Sequence, residues 1–158
     1  MKSSRSGESQ PSHSGNDLLI QQLKMLFNGI TRDIPIFMFS DRSRSDIFSK
    51  ANREIIRTFR ELSDKIKFRE FDLTDELAKK WSVQYSPTLL IDPERYSIRW
   101  LGAPMGEEGR TFLETLILVG TGQHHLSEAS QKILQKIDAP RAVKVFVSAT
   151  CPYCPQQG

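Results

Sequence analysis

The sequence has almost no cysteine: two residues in 158, Cys151 and Cys154, both inside the closing run VFVSATCPYCPQQG. All thiol chemistry is therefore confined to the last eight residues. The chain also lacks any apolar run near the roughly 18 residues that a membrane span requires, so no bilayer crossing is expected. Like charges do not gather into blocks. The 22 basic and 19 acidic residues are scattered, for a net charge of +3, which leaves no arm for nucleic acid. Residues 1–16 are rich in Ser and Gly and have no apolar core, which excludes a secretory signal. With Glu8 and no amphipathic pattern they do not read as a transit peptide either. They are expected to be a disordered tail on a cytoplasmic protein.

From residue 17 the apolar side chains recur with regular periods. Leu19, Leu23, Leu26, Phe27 and Ile30 have helical spacing, with Asn16 or Asp17 as cap and an end near Asn28 and Gly29. Residues 35–39, PIFMF, are apolar on both faces, as a central strand under helices requires. Ile47, Ala51, Ile55, Phe59 and Leu62 make the stripe of a long amphipathic helix. Residues 65–72 alternate like a strand, and a short helix over 74–81 follows with Thr74 as its cap. Residues 88–91 and 97–101 read as a hairpin turning at 92–95. A helix over 106–119 buries Phe112, Leu113, Leu116 and Ile117, and Gly120 and Gly122 stop it. This α/β order predicts a thioredoxin-like domain over residues 17–120.

The order then starts again. After a Gly-containing connector at 121–123, a helix over 126–137 opened by Ser127 would turn Ala129, Ile133, Leu134 and Ile137 inward, and AVKVFV at 142–147 reads as a strand leading into the cysteines. Residues 121–158 are thus expected to be the first helix and strand of a second, incomplete thioredoxin-like domain.

Two thiols three residues apart, between a buried strand and a helix start, suit dithiol–disulfide exchange: one thiolate attacks and the other resolves the mixed intermediate. Pro152 and Pro155 fit the first turn of such a helix, where backbone donors lack partners anyway. The helix end would stabilise a thiolate on Cys151, making it the nucleophile, with Cys154 resolving. The competing reading is half of a zinc site. Zinc usually takes four ligands, and His124 and His125, beyond a helix and a strand, make a poor second pair.

The runs ILQKIDAPRAVKVFVSATCPYCPQQ, RELSDKIKF, YSPTLLID and WLGAPMGEEGRTFLETLILV resemble the glutaredoxin-like protein disulfide oxidoreductase family, built from tandem thioredoxin folds. They are similar also to the N-terminal domain of the alkyl hydroperoxide reductase flavoprotein subunit. The resemblance extends over about residues 18–156 and is most specific at the CPYC run. It implies that the second unit carries the working cysteines, Cys151 and Cys154, and that the first unit's pair would fall between Ser43 and Ser49. That stretch reads SRSDIFS and holds no thiol, as in the redox-silent half of the peroxide-reductase branch. The resemblance also makes Pro87 of YSPT a structural cis-proline. Gly109 departs from it, because a large residue is usual there.

Implied too are protein disulfides as substrates and a thioredoxin-reductase-like flavoprotein as partner. FAD would be held by that partner or by a fused domain; no cofactor is expected in this chain, which has no Gly-rich flavin motif. A second domain as large as the first needs about 60 to 80 more residues, so the chain reads as a truncated and impaired form of a thiol–disulfide oxidoreductase. The alternative is a redox-silent thioredoxin-fold docking domain of a flavoprotein disulfide or peroxide reductase.

Overall fold

The computed structural model describes residues 13–148, with side chains from residue 20 onward. Its centre is β1 (Ile34–Ser40), flanked by β2 (Ile66–Asp72) in parallel and β3 (Thr88–Ile91) antiparallel; β4 (Ile98–Leu101) pairs antiparallel with β3, giving the order β2-β1-β3-β4. Being central, β1 is covered on both faces. Ile34, Ile36 and Met38 on one face and Phe39 on the other are fully buried.

One face carries the main core. There Ile34, Ile36, Met38, Ile66, Leu89 and Ile91 meet Phe27 of α1 (His13–Asn28), Ile56 of α2 (Ile47–Leu62), and Phe112 and Leu116 of α4 (Glu108–Thr121). Phe112 stacks with Phe59 and takes the edge of Trp100, at centroid distances of 6.1 and 5.3 Å. On the opposite face a smaller cluster of Phe39, Phe71 and Leu90 lies under Ala78 of the five-residue α3 (Glu76–Lys80). The β3–β4 turn is closed by Arg95 and Tyr96, whose N–H groups donate to the Asp92 carbonyl at 2.9 Å each.

Several expectations shift. The first helix begins at His13, so the tail expected over 1–16 loses its last four residues to α1. The cap of α3 is Asp75, which accepts from Leu77 N–H at 2.9 Å; Thr74 instead donates its N–H and hydroxyl to Asp72, at 2.9 and 2.7 Å. On α2 the fully buried residues are Ser49, Asn52 and Ile56, while Ile47 is 68% exposed. The buried face of α2 thus runs through Ser49, Asn52 and Ile56 and is turned away from the apolar stripe. Gly120 does not stop α4. It lies buried within it, and a Cβ there would come 2.6 Å from Ile30 Cγ2 and 2.7 Å from Ile34 Cδ1. The stop is Gly122, at φ 67.

The largest correction concerns the chain after residue 123. A helix forms, α5 (Glu128–Leu134), capped by Ser127, but none of its residues is buried, and Ile133, Leu134 and Ile137 are exposed rather than inward. Residues 142–147 form no strand. A strand exists through pairing with a neighbour, and no described strand lies beside this segment.

Candidate functional site

Cys151 and Cys154 lie outside the described residues. What the structure positions is the stretch where the resemblance would set a first pair of thiols: the end of β1, the loop 41–46, the start of α2, and Pro87. Laying KVFVSATCPYC over IFMFSDRSRSD matches Ser148 with Ser40 and sets Ser43 and Asp46 at the positions of Cys151 and Cys154.

The site is built around one carboxylate. β1 ends on the buried Ser40, whose hydroxyl donates to Glu70 Oε1 at 3.0 Å. Glu70 shares with Ile66 and Phe68 the face of β2 that turns toward the main core. Arg53 of α2 grips it at two points, Nε to Oε2 at 3.0 Å and Nη2 to Oε1 at 2.6 Å. Arg42 Nη2 donates to the Glu70 carbonyl and Arg42 N–H to Asp72 Oδ2, both at 3.1 Å. The loop is closed by Asp41 Oδ1, which accepts from the N–H and hydroxyl of Ser43. Asp46 caps α2, accepting from Ser49 N–H at 2.7 Å and from its hydroxyl at 2.6 Å.

These contacts set the charges. The Arg53 hydrogen bonds hold the Glu70 carboxyl below the usual glutamate range, against the opposing effect of burial. At Asp46 burial acts upward, but the Ser49 hydroxyl and the Ser49 and Phe48 N–H groups outweigh it and leave the carboxyl lowered. Bonds from Thr74 N–H and hydroxyl, then Arg42 N–H, lower Asp72. All three acids are ionised at neutral pH and engaged.

The Ser86–Pro87 bond is cis. Its loop is held to the site by Asp41 N–H, which donates to Ser86 Oγ at 2.8 Å, while Gly102 N–H donates to the Pro87 carbonyl at 2.9 Å. Exposed apolar side chains stand at this same end of the sheet: Ile47 and Phe48 at the start of α2, Tyr85 before Pro87, and Leu101, paired with Thr88, at the end of β4. Such a site can orient and hydrogen-bond a partner. It has no thiol with which to exchange a disulfide. Among the described residues no group of three or more His, Cys, Asp or Glu side chains is placed to hold a metal ion, and no helix is long and apolar enough to cross a membrane.

Sequence reasoning located the thiol-free loop and Pro87 but missed Ser40, Arg53 and Glu70. A signal existed. Glu70 falls at an inward position of a strand whose other inward residues are Ile66 and Phe68, and a carboxylate there requires a cation from the covering helix.

No protein-family model matches the chain, and no curated protein matches it by sequence. Solved structures do. The NTD_N/C domain of alkylhydroperoxide reductase AhpF from Enterococcus faecalis is similar with a TM-score of 0.75 and 25% identity, covering 89% of this chain and 69% of that one. The C503A mutant of AhpF from the same organism gives 0.70 and 25%, covering 88% and 68%. A protein disulfide oxidoreductase from Aeropyrum pernix gives 0.75 at 17% identity, covering 88% of this chain and 62% of that chain. With its four-stranded sheet of order β2-β1-β3-β4 under helices on both faces, the chain is a mixed α/β protein of thioredoxin-like fold.

Proposed function

We propose that the protein is a thiol–disulfide oxidoreductase of the cytoplasm that works through Cys151 and Cys154, with the described domain as a redox-silent companion unit. The observation that carries the reading is a CPYC run in a chain whose fold is shared with a protein disulfide oxidoreductase and with the AhpF N-terminal domain. In the reaction the Cys151 thiolate attacks one sulfur of a substrate disulfide. That S–S bond breaks, the departing thiolate takes a proton, and a mixed disulfide remains on Cys151. The Cys154 thiolate then attacks Cys151 Sγ, releasing the second substrate thiol and leaving a Cys151–Cys154 disulfide. Two electrons have passed to the substrate. An external dithiol or a flavoprotein reductase returns them.

The test is capture of a protein disulfide substrate by single-cysteine variants. Cys154→Ser should trap substrate as a mixed disulfide several-fold faster than Cys151→Ser, and alkylation against pH should show the lower thiol pKa at Cys151. Equal rates, no faster than free cysteine, would defeat the proposal.

A second reading rests on the loop itself. With Ser43 and Asp46 at the thiol positions and Glu70, Arg53, Arg42 and Asp72 locked together, the described domain would dock a flavoprotein disulfide or peroxide reductase and catalyse nothing. It predicts partner binding that survives loss of both cysteines.

A further inference from the structure

Among the described residues β2 is an outer strand, bonded in the sheet to β1. Ile34 N–H donates to the Lys65 carbonyl at 2.8 Å, and Leu73 N–H to the Ser40 carbonyl at 3.2 Å. Odd-numbered residues of β2 thus turn their peptide groups toward β1, and by alternation the even-numbered ones turn outward. Local bonds close the ends of this outer row: Ile66 N–H donates to the Ser63 carbonyl, and the Glu70 carbonyl accepts from Arg42. Between them the Ile66 carbonyl, both groups of Phe68 and the Glu70 N–H form a backbone edge left open by the described residues.

The side chains along this edge differ by face. On one face stand Lys65, Lys67 and Arg69, spaced by two; Asp33 lies 3.8 Å from Lys65 Nζ and 4.0 Å from Lys67 Nζ, and Lys67 Nζ also donates to the Asp64 carbonyl at 2.6 Å. The Arg69 guanidinium lies over the rings of Phe71 and Phe37, 4.9 and 5.7 Å from their centroids, and among the described residues it enters no ion pair. Stacking of this kind orients its donors outward at little entropic cost. On the other face Ile66 and Phe68 line an open cleft of about 610 Å³ beneath Arg57 and Arg60, with Glu61 and Asp64 also on its wall. Lys67 and Ser63 also line it, so basic side chains outnumber acidic ones there by three to two, and Ile66 and Phe68 supply its apolar part.

We propose that the open edge of β2 docks an extended peptide segment of alternating acidic and apolar residues, added as a fifth strand. Its carboxylates meet Lys67 and Arg69, its apolar side chains lie against Phe68, and its backbone completes the ladder at Ile66, Phe68 and Glu70. A second copy of this chain is a poor occupant, because pairing two β2 edges sets two basic rows side by side. A nucleic acid matches the charge but cannot supply the ladder. This inference goes beyond the disulfide chemistry and needs neither cysteine.

The experiment uses the full chain with Cys151→Ser and Cys154→Ser, so that exchange cannot contribute. A fluorescein-labelled peptide of sequence EVEVTVE is titrated by anisotropy at low salt. Saturable binding is expected, weakened by added salt, absent for KVKVTVK, and reduced about ten-fold or more by Lys67→Glu with Arg69→Glu. Circular dichroism of that variant should match the parent. Amide exchange at Phe68 and Glu70 should slow when peptide is bound. Binding untouched by the charge reversal, unchanged exchange at those two amides, or equal binding by a single-stranded oligonucleotide of the same charge would overturn the proposal. So would a dimer built on β2 that excludes the peptide.

Discussion

Glu70 and Glu108 both lie on the main-core side of the sheet, and their environments move their pKa values in opposite directions. Glu70, bonded by Arg53, is lowered. It contributes stability above the ordinary value of 4.5 and loses it as the pH falls through the folded-state pKa. Glu70→Gln should cost about 1 kcal/mol at pH 7, and the difference from wild type should shrink in acid. Glu108, 7% exposed in the first turn of α4, is raised by burial, with a hydrogen bond to Trp100 acting against that. Its contribution is complete below 4.5 and is lost as the pH rises through the folded-state pKa. Glu108→Gln should therefore gain about 0.5–1 kcal/mol at pH 7 and almost nothing at pH 4. Urea unfolding followed by tryptophan fluorescence at both pH values measures the two variants together; a Glu108→Gln protein less stable at pH 7 would contradict the assignment.

Helix α2 opens on a side-chain cap and α4 contains two glycines in different surroundings, and each feature can be tested by a single substitution. Asp46→Ala removes the acceptor for Ser49 N–H and should cost about 1 kcal/mol, whereas Asp46→Asn, which keeps an acceptor, should cost a few tenths. In α4 the two glycines should respond with opposite signs. Gly120→Ala places a methyl against Ile30 and Ile34, and this overpacking, about 1–3 kcal/mol, outweighs the roughly 1 kcal/mol that Ala gains in a helix. At Gly109 the added Cβ meets only the Pro104 carbonyl at 3.6 Å, an ordinary contact. Gly109→Ala should stabilise by about 0.5 kcal/mol. Thermal melts of the two alanine variants decide it, and a common sign would show that the close approach at Gly120 is relieved by movement of α4.

At the scale of the molecule, the cohesion of the described residues is concentrated before Gly122. Beyond it the described residues are almost all exposed, with Val143 at 84% and Phe146 at 87%. A chain ending at Gly122 should keep cooperative unfolding with a melting temperature within about 2 °C of the 158-residue chain. The longer chain should associate with rising concentration, because the apolar side chains of 142–147 are left to find partners between molecules. Size-exclusion chromatography of both lengths tests this, and two clean monomers would refute it.

Local periodicity determined much of this protein by itself. The double-sided apolar run of β1, the alternation of β2, the β3–β4 hairpin and the long α2 are all written in residues a few positions apart, and the structure has them with bounds moved by a residue or two. The cysteine pair, the thiol-free loop and Pro87 are equally local. Contacts across the fold decided the rest. Which face of α2 is buried is set by its packing on the rest of the fold, and Asn52 lies inside because its Nδ2 reaches the Gly102 carbonyl at 2.8 Å, 50 residues away. Glu70 is tolerated on an apolar face because Arg53 arrives from another element. Gly120 is a packing residue because Ile30 and Ile34 lie against it. Residues 142–147 have the composition of a strand but form none, since strand propensity becomes a strand only when a neighbour takes up its backbone hydrogen bonds, and no stretch of sequence carries its neighbour with it.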